Sequence, residues 1–94
     1  MKTLDIVWTA QFKKDYKLAM KRQLNIGLLD DAIRALSKNE PLSEKYNDHA
    51  LAGDWAGYRE CRLLPNWLLI YKINTEVLVL TLTRTGSHSD LFYK

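Results

Sequence analysis

A chain of 94 residues, 47% apolar and 11% aromatic, can build one hydrophobic core and is too short for two, so a single domain over residues 1–94 is expected. Its one cysteine, Cys61, cannot close an internal disulfide, and with only His49 and His88 beside it no ligand set stands at metal-site spacing; neither a metal nor another cofactor is expected. The net charge is a modest +3, the first 20 residues carry no signal-peptide pattern, and the longest apolar run, residues 67–71, falls far short of the roughly 20 that span a bilayer, so the expectation is a cytoplasmic protein without a membrane segment.

Residues 4–8 alternate and hold Ile6, Val7 and Trp8, which predicts a first strand. Thr9 is placed to cap a helix in which Phe12, Tyr16, Ala19 and Met20 recur at helical spacing, while Lys13, Lys14, Lys17 and Lys21 fall elsewhere on the wheel. The result is an amphipathic helix with a basic outer face. A second helix starts near Asn25, carries Asp30 and Asp31 towards its positive end, buries Leu29, Ala32, Ile33 and Leu36, and stops before Pro41. Residues 41–54, with Asn47, Asp48 and Gly53, break into a polar loop that puts His49 on an irregular segment. Three strands follow at 55–63, 67–73 and 77–83. Their connections, Pro65-Asn66 and Asn74-Thr75-Glu76, are short enough to require antiparallel hairpins. The order is β-α-α-β-β-β, an α+β domain with a helix hairpin packed on one face of a mostly antiparallel sheet.

The charge is unevenly spread along these elements. Residues 1–24 carry six Lys/Arg against two acids, residues 25–54 three against six, and residues 55–94 five against three. A basic first helix suits a polyanion, through phosphate contacts and counterion release; it equally suits solubility alone.

Beyond the last strand, residues 83–94 place Arg84, His88 and Phe92 at steps of four. A cation, an imidazole and an aromatic ring beside a rigid strand can hold a phosphate, move a proton and stack on a base, a combination suited to RNA. Strand parity adds partners: Tyr58, Glu60 and Arg62 share one face of the first meander strand, and Arg59, Cys61 and Leu63 the other. Cys61 and Leu63 suit the core, leaving Glu60 and Arg62 open to His49 and His88. Each of these side chains also has a plainer reading. His88 is by default a surface residue, His49 can close a turn through Asp48, Glu60 and Arg62 can simply pair, and Asn66 suits a turn. Phe92 can pack the chain end, and Trp55, Trp67 and Tyr71 read as core and rim.

The segment DHALAGDWAGYRECRLLPNWLLIYKI, followed by LTRTGSHSDLF, resembles the YafQ branch of the RelE superfamily of bacterial toxins, over essentially the whole chain. The resemblance implies a RelE-like fold and a ribosome-dependent mRNA endoribonuclease that acts in the A site of the small subunit. It also implies an antitoxin of the DinJ/RelB ribbon-helix-helix kind, through which operator DNA is reached. On matched positions it implies that His49, Glu60, His88 and Phe92 are functional. Arg62 stands where the branch often has a histidine and Asn66 where it often has an aspartate, so each change removes a titratable group.

Cleaving RNA without metal needs a base for the 2′-hydroxyl proton, cations to offset charge on the phosphorus, and an acid for the departing 5′-oxygen. The roles expected are His88 as proton-transfer group, His49 as a second one or an anchor, and Glu60 as base or as orienter of an imidazole. Arg62 and Arg84 would clamp phosphate, Phe92 would stack on a base, and Lys13, Lys14, Lys17 and Lys21 would hold RNA. Two other readings stay open: a catalytically weakened binding module acting through antitoxin and operator DNA or the ribosome, and a free ribonuclease.

Overall fold

The computed structural model describes residues 3–92. Strand β1 (Asp5–Trp8) gives way to helix α1 (Ala10–Lys21) at Thr9. Thr9 is extended, its Oγ1 accepts from the Phe12 N–H at 2.9 Å and donates to the Thr83 carbonyl at 2.9 Å, so one hydroxyl caps the helix and ties it to the last strand. Helix α2 (Ile26–Ser37) is capped by Asn25, whose side chain accepts from the Gly27 N–H. Strands β2 (His49–Ala50), β3 (Arg59–Leu64), β4 (Trp67–Asn74) and β5 (Val79–Gly86) and a one-turn helix α3 (His88–Leu91) follow, with 3-10 turns at Glu44–Tyr46 and Gly53–Trp55.

The five strands lie in the order β1-β5-β4-β3-β2; β1 runs parallel to β5 and every other pair is antiparallel. Both faces of the sheet are covered, which explains the unbroken apolar run of β4. Trp67, Leu69, Tyr71, Leu80, Leu82, Cys61 and Leu63 pack against Phe12 and Ala19 of α1 and Leu29, Ala32, Ile33 and Leu36 of α2. Leu68 and Ile70 face the other way and pack with Leu91, bordered by Leu51, Trp55, Tyr58 and Phe92. Each fully buried large apolar side chain contributes about 1.5–3 kcal/mol. In Cys61 burial, with Asp48 and Glu60 nearby, pushes the thiol up to about 12, so it stays protonated at neutral pH.

The α+β architecture, the antiparallel meander and the helix pair on one face agree with expectation. The details differ in five places, each for a physical reason. Residues 41–54 are not wholly irregular: His49 and Ala50 pair with Glu60 and Arg59, a rung too short to show a period of two, so the sheet has five strands rather than four. The strand expected from residue 55 begins at Arg59, because a 3-10 turn and Gly57 at φ +93 occupy the stretch before it. The last strand runs from Val79 to Gly86 rather than 77–83, since Leu78 at φ +56 closes the turn, so Arg84 belongs to a strand. On α1 it is Asp15, not Met20, that completes the buried stripe with Phe12 and Ala19; Met20 is exposed. Finally, Asp30 and Asp31 lie a turn inside α2, whose first turn holds no acid.

Candidate functional site

The β2–β3 rung builds one end of the site. His49 and Glu60 are paired across it, and the imidazole Nε2 lies 3.3 Å from Oε1 of Glu60, a carboxylate only 8% exposed. The other ring nitrogen, Nδ1, is 2.7 Å from the Asn47 carbonyl. A carbonyl only accepts, so Nδ1 carries a hydrogen and Nε2 is the nitrogen that faces Glu60. Asp48, expected as a turn partner of His49, instead accepts from the Tyr71 hydroxyl at 2.5 Å and from Arg59 Nε at 3.3 Å. It anchors the segment before His49 to β3 and β4, and burial beside this carboxylate raises the Tyr71 phenol well above its ordinary value.

The other end is built by the chain after β5. Ser87 and Asp90 form a reciprocal capping box, and Asp90 also takes an ion pair from Arg22 at 2.8 Å, so α3 is fastened to the end of α1. His88 opens α3, with Asn66 in the β3–β4 turn beneath it: the Asn66 Oδ1 accepts the His88 backbone N–H at 3.2 Å and lies 3.2 Å from Nδ1. Because that oxygen only accepts, Nδ1 carries a hydrogen and Nε2 is left as the acceptor of the neutral ring. Phe92 sits 6.5 Å from the His88 ring and packs edge-on against Trp55 at 6.2 Å, half-buried.

Both ends occupy the face of the sheet away from α1 and α2. Across it run His49 on β2, Glu60 and Arg62 on β3, Leu68 and Ile70 on β4, then Gly86 on β5 with α3 lying back over β4. Arg62 thus shares the β3 face with Glu60, in register with Leu68 and, through it, with Gly86. It is exposed, and among the described residues it has no carboxylate within ion-pair distance.

Other expected site residues are arranged differently. Arg84 does not stand free: its Nε and one terminal nitrogen lie 2.9 and 3.2 Å from the two oxygens of Asp15, and Asp15 also accepts the buried Thr85 N–H at 3.1 Å. The expected phosphate clamp is already paired. Lys13, Lys14, Lys17 and Lys21 are exposed along α1, on the helix side of the sheet rather than on the His49–His88 face. Trp67 and Tyr71 are core, and Trp55 is rim. Among the described residues no group of three His, Cys, Asp or Glu could hold a metal ion, and no helix is long and apolar enough to cross a membrane. Sequence reasoning missed Asp15, Arg22 and Asp90. A lone acid on the apolar stripe of a lysine-rich helix, and the Ser-x-x-Asp spacing at 87–90, were the available signals.

The Arg22 guanidinium and the Ser87 backbone and side chain hold the Asp90 carboxyl down at about 2. A folded value below the unfolded one near 3.8 means this stabilisation is complete above about pH 5 and disappears as the pH falls towards 2. With both side chains partly exposed its size is about 1 kcal/mol after screening. Urea unfolding should show wild type ahead of Asp90→Asn by about that amount near pH 6, with the gap closing near pH 2. A gap that does not change with pH would contradict the tether.

The five-stranded α+β fold is that of the bacterial toxins of type II toxin–antitoxin systems. The family model "Bacterial toxin of type II toxin-antitoxin system, YafQ" matches residues 4–93, and the chain belongs to that family. It is 42% identical over 89 residues to the mRNA interferase toxin YafQ of Escherichia coli K12, covering 94% of this chain and 95% of the relative. The crystal structure of YafQ from E. coli BL21(DE3) superposes with a TM-score of 0.89 at 40% identity, over 95% of this chain and 98% of that one. YafQ in the E. coli DinJ-YafQ toxin-antitoxin complex superposes at 0.88 and 41% identity, over 96% and 98%.

Proposed function

We propose that this chain is an mRNA endoribonuclease that cuts message on the ribosome by 2′-hydroxyl attack on the adjacent phosphate, and that a DinJ-like ribbon-helix-helix antitoxin holds it inactive and carries it to operator DNA. The observation that supports this best is that His49, Glu60 and Arg62 share one sheet face, with His88 following Gly86 on the β5 side of it. In-line displacement at phosphorus takes a proton from one side and returns one on the other, with a cation at the phosphate between them. His88, held by Asn66 with Nε2 as its free acceptor, suits proton transfer at the scissile phosphate. His49, with Glu60 behind Nε2, suits the second transfer. The Arg62 guanidinium serves as the clamp, and the half-buried Phe92 stacks on a base. Asn66 keeps the acceptor geometry that an aspartate would provide while dropping its charge, so the substitution preserves the orientation of His88.

Primer extension on message incubated with ribosomes and purified protein tests the reading. Cuts within codons are expected, and they should be absent when the antitoxin is added. No cut at any codon would favour a binding module, and efficient cutting of naked RNA would remove the ribosome from the scheme. The exposed lysines of α1 are the ribosome-facing charge in this account. Lys13, Lys14 and Lys17 replaced together by Ala should weaken ribosome association and flatten its salt dependence, each lost phosphate contact lowering the slope by about 0.7–0.9. An unchanged slope would return these lysines to solubility alone.

A further inference from the structure

Leu63, Leu64 and Pro65, where the pairing of β3 with β4 shifts register, form with Leu28 of α2 the apolar floor of a cleft of about 340 Å³. Its wall is the 3-10 turn that carries Lys45 and Tyr46, and its rim is Arg62. The volume sits near the lower end of the roughly 300–1,000 Å³ range of small-ligand sites, room for a base and its sugar. Tyr46 is half-buried, and the Lys45 ammonium lies 5.3 Å from its ring centroid, so the ring presents a face that a cation can reach. Among the described residues neither Lys45 nor Arg62 has a carboxylate within ion-pair distance. Arg62 belongs both to this rim and to the face that carries Glu60 and His49.

We infer that this cleft is a nucleotide subsite: one base of single-stranded RNA next to the cleaved bond lies on the apolar floor against Tyr46, with its phosphate between Lys45 and Arg62. A flat apolar ring with a phosphate beside it uses every feature of the cleft, whereas an apolar protein side chain would leave both cations idle. The Lys45 contact with the Tyr46 ring is weak at an exposed site and gives way readily to a stacked base. Arg62 makes the subsite continuous with the proposed centre, and the inference rests on that RNA reading.

Titrating the ¹⁵N-labelled chain with trideoxyadenylate, which lacks the attacking 2′-hydroxyl, tests binding without ribosome or cleavage. Amide shifts are expected at Leu28, Lys45, Tyr46, Leu63 and Leu64. Tyr46→Leu, which keeps the apolar filler but not the π face, should bind at least about fivefold more weakly, while Tyr46→Phe binds as wild type. Lys45→Ala should lower the salt slope by about 0.7. Shifts confined elsewhere up to the solubility limit of the trinucleotide, or wild-type affinity in Tyr46→Leu, would overturn the subsite. So would a cleft that responds to the antitoxin and not to the trinucleotide. If the trinucleotide binds as expected but the protein cuts no message, the subsite stands and the nuclease assignment alone fails.

Discussion

His88→Ala should lower the rate of message cleavage about 10²–10⁴-fold, the usual worth of a positioned proton-transfer group, and should abolish growth arrest on expression. The geometry makes this a clean experiment. His88 is exposed, its backbone N–H to Asn66 survives the substitution, and the Ser87–Asp90 capping box and the Arg22 ion pair that hold α3 do not involve its ring. Stability should therefore stay within about 0.5 kcal/mol of wild type, and antitoxin binding should persist. Quantifying cut product on ribosomes beside a urea melt separates loss of chemistry from loss of fold. Asn66→Ala gives the companion result: it leaves the imidazole in the molecule but removes the acceptor that fixes its tautomer and orientation, so it should cost less than His88→Ala. Wild-type cleavage by His88→Ala would remove this imidazole from the mechanism and shift the proton transfers to His49 and Glu60.

What the sequence disclosed about this site followed the range of the interactions. Local patterns were readable: the Thr9 cap, the stripe of Leu29, Ile33 and Leu36, the two hairpins, and the alternation that sends Glu60 and Arg62 to one face while Cys61 and Leu63 go to the core. Pairings across the fold were not. The rung that carries His49 is two residues long, so it has no period to detect, and only the partner strand makes it a strand. Arg84 stands four residues before His88, which invites a shared role; the strand nevertheless continues through it, and its guanidinium turns to α1, 69 residues away in sequence. Nothing in a helix wheel that assigns every charged residue to solvent reveals Asp15 as its partner. The buried carboxylate is visible only as an acid that breaks an apolar stripe, and burial of a charge is what demands the distant arginine.

That demand yields the second large effect. Asp15 is 7% exposed and accepts from four donors: Arg84 Nε, an Arg84 terminal nitrogen, the Thr85 N–H, itself in a buried residue, and Gln11 Nε2. Removing one member of a buried ion pair costs about 3–5 kcal/mol because the other is left uncompensated. Here the Arg84 side chain is 26% exposed and can recover some water, so Asp15→Ala should destabilise by about 2–3 kcal/mol, lowering Tm by about 10–20 °C in a domain of this size. Asp15→Asn should cost less, since a carboxamide oxygen still accepts from Thr85 although it no longer neutralises Arg84. Asp15→Leu combined with Arg84→Met should regain much of the loss, an apolar pair replacing an ionic one at similar volume, and the difference between the double variant and the sum of the singles measures their interaction. The consequence reaches the proposed centre through the chain itself, because Thr85 and Gly86 lead directly into Ser87 and His88. In the temperature range where Asp15→Ala is still folded, loosening of this segment should appear as faster hydrogen exchange at Thr85, Ser87 and His88. Exchange unchanged there, with Tm within about 2 °C of wild type, would show that the Asp15–Arg84 pair does not hold this segment.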